Sequence, residues 1–142
     1  MVPDVYPEAL GKPVQLWLEF DSDHAHDLEI RRSVTEVLLF LNNTLVKWYC
    51  KRQSTVETST YGAEINACKT AGELVIKYRY KLQMLGVPLK EKAFVYGGNL
   101  SVIINGSRPE SVLKKNTHAC YFHFIRELCA ASLMSLHKIN SK

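Results

Sequence analysis

Apolar and polar residues alternate near the start of the chain. Between positions 14 and 20 the apolar side chains occupy every second position: Val14, Leu16, Leu18 and Phe20. A period of two residues predicts a β-strand with one buried face. The strand leads into an acidic segment, residues 21–27, which we predict to be the end of the strand and a loop.

A predicted hairpin and a long helix follow. Two β-rich segments, residues 34–41 and 44–50, are separated by Asn42 and Asn43, and asparagine tolerates the positive φ of a tight turn. A helix is indicated by apolar residues that recur every three or four positions: Ala67, Ala71, Leu74, Tyr78, Leu82 and Leu85. Ser59 or Thr60 can cap its start, and Gly86 followed by Pro88 predicts its end.

The second half of the chain predicts strand, helix and strand again. These are a strand over residues 93–96, a helix over 117–131 and a final strand over 133–139, while 101–105 fits either helix or strand. The predicted order is β-β-β-α-β-α-β. We therefore expect one α/β domain over residues 14–142, a mixed five-stranded sheet with helices packed on it, after an irregular segment 1–13.

Composition narrows the class of protein. The 142 residues include 18 Lys and Arg against 14 Asp and Glu, a net charge of +4, and 46% are hydrophobic, as in ordinary globular domains. The longest apolar run, residues 37–41, is far shorter than a membrane span needs. Because the N-terminus does not resemble a signal peptide, we expect an intracellular protein with four reduced, mostly buried cysteines.

Candidate chemistry is weak when the residues are taken alone. Acidic and histidine side chains in residues 21–27 suggest a metal cluster, but from composition alone we favour an acidic loop between strands. Lys47, Lys51 and Arg52, interleaved with Trp48 and Tyr49, suggest contacts to phosphates and bases. Lysines that protect an exposed edge strand explain the same residues.

Five segments together resemble a known family. They are RRSVT at 31–35, WYCKRQSTV at 48–56, STYGAE at 59–64, NLS at 99–101 and FHFIRE at 122–127. In order and spacing they are similar to the RRSxTGY, WxSKKQxTV, SSTEAE, DNxSA and YHFIRE segments of ribonuclease H domains from copia-type long-terminal-repeat retrotransposons. The resemblance runs from about Phe20 to Glu127 and implies a ribonuclease H-like fold, in agreement with the predicted order of elements.

The resemblance also implies a reaction and a site. Such domains cut the RNA strand of an RNA–DNA hybrid with two divalent ions, Mg²⁺ or Mn²⁺, held by carboxylates. By position, Asp21 corresponds to the first carboxylate of the family and Glu64 to the second. The residues expected to contact nucleic acid are Lys47, Lys51, Arg52, Gln53, Asn99 and Ser101.

Two of the family's four carboxylates have no equivalent in this sequence. Gly98 stands where the third belongs, and the fourth lies beyond the point that Lys142 reaches. Asp23 is a possible substitute ligand, although it cannot fill the position opposite, on the strand of Gly98. Glu36 and Gly62 are further departures from the family pattern. We therefore expect a degenerate, C-terminally truncated copy with impaired catalysis.

Three hypotheses remain at this point. The chain is an impaired domain that still binds hybrid or duplex nucleic acid. Alternatively, it is an active enzyme completed by a partner chain or by a longer polyprotein that carries reverse transcriptase and integrase. The third hypothesis is a non-catalytic interaction domain or a transposon remnant.

Overall fold

Five strands and two long helices make up the part of the chain that the computed structural model describes, residues 8–23, 32–54, 60–90, 92–98, 102–103 and 119–139. In chain order they are β1 (Leu16–Asp23), β2 (Val34–Leu41), β3 (Thr44–Arg52), α1 (Thr60–Met84), β4 (Ala93–Gly97), α2 (Ala119–Ala130) and β5 (Met134–Lys138). The predicted order of elements is confirmed.

The strands form one mixed sheet in the order β3-β2-β1-β4-β5. Antiparallel pairing joins β1 to β2 and β2 to β3, whereas β4 runs parallel to both β1 and β5. Asn42 adopts a φ of 54° in the turn between β2 and β3, as the sequence predicts. The predicted five-stranded α/β architecture is therefore confirmed.

The two faces of the sheet have different surroundings. On the face that we call the helix-covered face, strand residues are buried against α1 and α2: Leu16, Leu18, Phe20, Val37, Leu39, Val95, Met134 and Leu136. On the opposite face, the open face, the aromatic side chains of Trp17, Phe40, Phe94 and Tyr96 are only partly buried or exposed. Both described helices belong to the core of the helix-covered face.

Helix α1 crosses this core and packs closely against α2. A Cβ added at Gly72 would lie 2.9 Å from the side chain of Leu128, so the absence of a side chain there permits the close approach. Gly86, with a φ of 72°, ends the helix as predicted, and its amide donates to the carbonyl of Gln83. Leu85 follows the last helical residue and is 76% exposed, so its inclusion among the recurring apolar residues of the helix was wrong.

Strand β1 continues further than the sequence indicates. Residues 21–27 were predicted to be the end of the strand and a loop, and the strand ends at Asp23: Asp21, Ser22 and Asp23 pair with Glu36, Thr35 and Val34 of β2. Cross-strand pairing with β2 keeps these polar residues extended, which is a tertiary effect that local sequence does not encode. Asp21 and Asp23 therefore lie on the strand rather than in a loop.

The structure also bears on the ambiguous segment 101–105, on the cysteines and on membrane spans. Val102 and Ile103 are buried with helical backbone, which decides two positions of the ambiguous segment. All four cysteines are free, but Cys68 is the buried one, whereas Cys50 and Cys120 are exposed. In the described ranges, none of the helices is both long enough and apolar enough to cross a membrane.

Candidate functional site

Asp21 and Glu64 meet at the carboxyl end of β1 through a shared donor. The backbone N–H of Ser22 donates to Oδ1 of Asp21 at 2.8 Å and to Oε1 of Glu64 at 3.2 Å. The Ser22 hydroxyl also donates to Oε1 of Glu64, at 2.9 Å. Pairing of β1 with β4 ends at Glu19, so Ser22 lies beyond that ladder and its N–H is available to the carboxylates. The two acidic residues singled out from the sequence are therefore neighbours.

Burial makes Glu64 the unusual member of the pair. Its side chain is 9% exposed, and its Oε2 is buried without a hydrogen-bond partner. Burial raises the pKa of Glu64 to about 7, the Ser22 hydroxyl opposes the shift, and the negative charge of Asp21 adds to it. Near neutral pH, the pair therefore carries less than two full negative charges.

Gly98 faces a cavity that Asp21 also lines. The cavity has a volume of about 390 Å³ and is lined by Asp21, Glu36, Gly98 and Lys138, among others. A Cβ added at Gly98 would meet no atom within 4 Å. The position where the resemblance implies a third carboxylate is therefore bare backbone facing open space.

Among the described residues, the acidic side chains do not fit a pair of divalent ions. In the part of the chain described by the structure, no group of three or more His, Cys, Asp or Glu side chains is arranged to hold a metal ion. Asp21 and Glu64 supply two carboxyl groups, one of them with a raised pKa, while two bridged ions require more oxygen ligands. Asp23 lies two residues beyond Asp21 on β1, about 7 Å along the strand, and does not complete such a group.

Basic side chains lie along the neighbouring edge of the sheet. Lys47, Lys51 and Arg52 are exposed on β3, which is an edge strand. Ser22 pairs with Thr35, and Thr35 pairs with Lys51, so these three residues form one row across the sheet. Two strand spacings place the backbone of Lys51 about 10 Å from that of Ser22. A phosphate backbone near the carboxylates would therefore be within reach of the Lys51 ammonium group.

Gln53 has a different environment from the one expected. It is 5% exposed, and its Nε2 donates to Oγ1 of Thr35 and to the carbonyl of Ala63, both at 2.9 Å. Gln53 therefore links β2 to the first turns of α1 and is not available to nucleic acid. Asn99 and Ser101, also expected to contact nucleic acid, lie outside the described residues.

Sequence reasoning did not identify two residues of the site. Ser22 holds the two carboxylates together, and its only sequence signal is a hydroxyl between Asp21 and Asp23 at the end of an apolar strand. Glu36 stood out as a departure from the family, but its place opposite Asp21 depends on the strand register. Neither role can be assigned before the strand pairing is known.

Comparison with known proteins supports the same class of domain. No family model matches the chain. A retrovirus-related Pol polyprotein from transposon TNT 1-94 of Nicotiana tabacum is 27% identical over 121 residues, which is 85% of this chain. The chain spans 9% of the length of that relative.

Solved structures show the same fold. LC11-RNase H1, solved in complex with an RNA/DNA hybrid, has a TM-score of 0.67 at 13% identity and covers 88% of this chain and 85% of its own. The protease-reverse transcriptase of prototype foamy virus has a TM-score of 0.62 at 13% identity, with 96% of this chain and 19% of that protein covered. The sheet order and these likenesses define a ribonuclease H-like fold.

The sequence relative makes the assignment more specific. The matched segment of the tobacco polyprotein extends over most of the chain, and the foamy virus protease-reverse transcriptase contains the same fold. The chain therefore has a ribonuclease H-like fold and is similar in sequence to part of a retrotransposon Pol polyprotein.

Proposed function

We propose that this domain is of the copia type and is catalytically impaired, and that it binds the backbone of an RNA–DNA hybrid or duplex along β3. The observation that carries the proposal is Gly98, which presents bare backbone to the cavity where the family has a carboxylate. The ancestral reaction is hydrolysis of the RNA strand with Mg²⁺ or Mn²⁺. The binding residues are Lys47, Lys51 and Arg52.

Impairment follows from the electrostatics of the site. A second divalent ion, close to the first, is stable only where enough negative charge surrounds both. The described residues supply Asp21 and a Glu64 whose pKa is raised to about 7. Each loss of about 1.4 kcal/mol of transition-state stabilisation slows a reaction tenfold, so the loss of a metal ligand is expected to slow cleavage by orders of magnitude.

Nucleic-acid binding does not depend on the missing carboxylates. Lys47 and Lys51 point to the same face of β3, four residues apart, which corresponds to about 13 Å along the strand. Both are exposed, and the chain carries a net charge of +4. Contacts of lysine with phosphate are independent of sequence and do not require metal. The hybrid bound by LC11-RNase H1 is a fitting probe for this surface.

A cleavage assay tests the impairment. Purified protein is incubated with a labelled RNA–DNA hybrid and 10 mM Mg²⁺ or Mn²⁺, in parallel with Gly98→Asp and Asp21→Asn. We expect no metal-dependent cleavage by the natural sequence. Cleavage by the natural sequence that disappears in Asp21→Asn would overturn the proposal.

A titration at two salt concentrations tests the binding surface. Replacing Lys47 and Lys51 by alanine should weaken hybrid binding at low salt. It should also reduce the slope of the binding constant against salt concentration by the amount expected for about two phosphate contacts. The matched control removes Lys77 and Lys81, two exposed lysines of α1, with the same change in net charge. Equal weakening by both pairs would show that only overall charge matters, and no binding at low salt would favour a remnant or an interaction domain.

The open space at Gly98 favours one second candidate, an active enzyme completed from outside this chain. The cavity beside Gly98 has room for a side chain supplied by another part of a Pol polyprotein that also carries reverse transcriptase and integrase, or by a partner chain. This candidate predicts no cleavage by the isolated chain and Asp21-dependent cleavage by the longer polyprotein. Continued inactivity of the longer polyprotein would exclude it.

A further inference from the structure

Glu64 does not line the cavity beside Gly98. The described residues that line it include Asp21 and Glu36 but not Glu64. The Glu64 side chain extends instead from α1, on the helix-covered face of the sheet, and is only 9% exposed. A divalent ion in the cavity would therefore need Glu64 to turn one carboxylate oxygen toward it.

Ser22 engages one of the two carboxylate oxygens of Glu64. Oε1 accepts from the backbone N–H of Ser22 at 3.2 Å and from its hydroxyl at 2.9 Å. A carboxylate oxygen has two lone pairs, so these two hydrogen bonds use both. The other oxygen, Oε2, is buried and has no hydrogen-bond partner. One oxygen of Glu64 is thus held by Ser22, and the other is shielded from solvent.

The same residue compensates the charge of Asp21. The backbone N–H of Ser22 also donates to Oδ1 of Asp21, at 2.8 Å, so a single donor lies between two carboxylate oxygens. Charge-assisted hydrogen bonds of this kind favour the ionised carboxylates and offset their mutual repulsion. Ser22 therefore provides, without metal, part of the charge compensation that a bridging cation would provide.

Neighbouring hydrogen bonds fix both sides of the Ser22–Glu64 contact. Ser22 pairs with Thr35 of β2, which is 3% exposed. Nε2 of Gln53 donates to Oγ1 of Thr35 and to the carbonyl of Ala63, the residue that precedes Glu64 on α1. The start of α1 is thus tied to β2 next to Ser22. The contact therefore has a fixed geometry, unlike the orientation of a freely exposed side chain.

We propose that Ser22 is a positioning residue that withholds Glu64 from divalent ions. Its hydroxyl holds the carboxylate in place, so an ion that recruits Glu64 must first break a hydrogen bond to a charged group. Such bonds are stronger than those between neutral groups. This inference rests on the proposed catalytic impairment and adds a second cause to it, because a carboxylate restored at Gly98 does not by itself make Glu64 a ligand.

The opposite role for Ser22 would be to present Glu64 to an ion. The two roles predict opposite effects of Ser22→Ala on metal affinity. Removal of a group that withholds Glu64 strengthens binding, whereas removal of a group that presents it weakens binding. Burial of Oε2 favours the first role, because the oxygen that Ser22 leaves free is not accessible to an ion in the cavity.

Binding of Mn²⁺, measured without nucleic acid, gives the test. Titrations follow the electron paramagnetic resonance signal of free Mn²⁺ in oxygen-free buffer at pH 8.5, where protons compete little for carboxylates. We expect Ser22→Ala to bind Mn²⁺ about tenfold more tightly than the natural sequence, the equivalent of one hydrogen bond to a charged group. The comparison is repeated in the Gly98→Asp background, where the additional carboxylate strengthens binding and the same gain is expected.

Matched variants separate this effect from a general change. Ser22→Thr keeps the hydroxyl and should bind Mn²⁺ like the natural sequence. Ser135→Ala removes a hydroxyl from β5, where Ser135 forms a hydrogen bond with His137, and should also leave Mn²⁺ binding unchanged. Glu64→Gln added to Ser22→Ala should cancel the gain.

Stability provides a second measurement. Without metal, Ser22→Ala should lower the midpoint of thermal unfolding by about 3 °C, because a hydrogen bond is lost. Stability and metal affinity should therefore change in opposite directions. A purely structural role of Ser22 predicts that both decrease.

Unchanged or weaker Mn²⁺ binding by Ser22→Ala would overturn the proposal, and so would an equal gain in Ser22→Thr or Ser135→Ala. A gain that persists after Glu64→Gln would contradict the role of Glu64. Metal-dependent cleavage of a hybrid by the natural sequence would instead remove the proposed impairment. Failure of this inference and failure of the proposed function are therefore distinguishable.

Discussion

Gly97 and Gly98 are adjacent in sequence, but the space that a side chain would have at the two positions is very different. A Cβ at Gly97 would lie 2.2 Å from the ring of Phe20, whereas a Cβ at Gly98 would meet no atom within 4 Å. The first position lies in the core, next to a ring that is 1% exposed, and the second faces a cavity. Gly97 is therefore required by the packing of the core, whereas one residue further the backbone of Gly98 faces open space.

The same contrast holds on β1. Phe20 fills the core on the helix-covered face, and Asp21 follows it at the solvent-facing end. Because neighbouring strand residues point to opposite faces, a change at Gly98 need not disturb the packing at Gly97. This separation allows the residue at position 98 to change without loss of the ribonuclease H-like fold.

The largest expected effect is that of Gly97→Ala. The Phe20 ring cannot move freely within the core, so the extra methyl group should destabilise the fold by about 3 kcal/mol. Urea unfolding measures the difference. The control is Gly98→Ala, which should change stability by less than about 0.5 kcal/mol. Equal stabilities of the two variants would contradict the comparison.

Glu64→Gln should have the next largest effect on stability, and this effect should depend on pH. A raised pKa means that the folded state holds a proton that the unfolded chain releases, so stability falls as pH rises from about 4.5 to about 7. The amide removes this penalty while its oxygen still accepts from Ser22. We expect stabilisation on the order of 1–2 kcal/mol at pH 8, allowing for solvent screening, and little change at pH 4.

Urea unfolding in a chelating buffer at both pH values checks this prediction. Asp21→Asn is the companion variant, because it removes the neighbouring charge and leaves the burial of Glu64 unchanged. Its effect on the pH dependence should be smaller, since burial is the largest cause of the raised pKa of Glu64. A gain from Glu64→Gln that is equal at pH 4 and pH 8 would disprove the assignment.

Gly98→Asp should stabilise the fold slightly, and this gain should depend on a divalent metal ion. Open space admits the side chain without strain, and the new carboxylate adds an oxygen ligand near Asp21. Thermal unfolding with and without 10 mM Mg²⁺ should show a metal-dependent gain on the order of 0.5–1 kcal/mol in the variant and a smaller one in the natural sequence. Gly98→Asn controls for side-chain size, and an equal gain in that variant would rule out a charge effect.

The smallest expected effect is that of Glu36→Gln. Glu36 and Asp21 are directly opposite each other on β2 and β1, and like charges in that relation are unfavourable. Removing one charge should stabilise the fold by about 0.3 kcal/mol at low salt, and salt should screen the gain. A gain that persists at 1 M salt would show that the pair does not act through charge.

Much of the fold could be predicted because local patterns agree with it. The alternation from Leu16 to Phe20, the turn at Asn42 and the helix end at Gly86 each appear in the structure as the sequence predicts, whereas Val14 lies outside β1. Failures occurred where a neighbouring element decides the conformation. Strand β1 continues as far as Asp23 because β2 pairs with it, and Leu85 is exposed because the helix ends before it.

For the site, the sequence by itself determined which acidic residues exist. Asp21 and Glu64 could be named from their motifs, and Gly98 shows that a third carboxylate is absent, because side-chain chemistry is fixed by residue type. Tertiary structure decided what these residues do. Packing of the strands against α1 places the backbone N–H of Ser22 between two carboxylates. The same packing buries Glu64, which raises its pKa, and buries the side chain of Gln53. Those properties depend on distance and burial between segments remote in sequence, and only the packed chain has them.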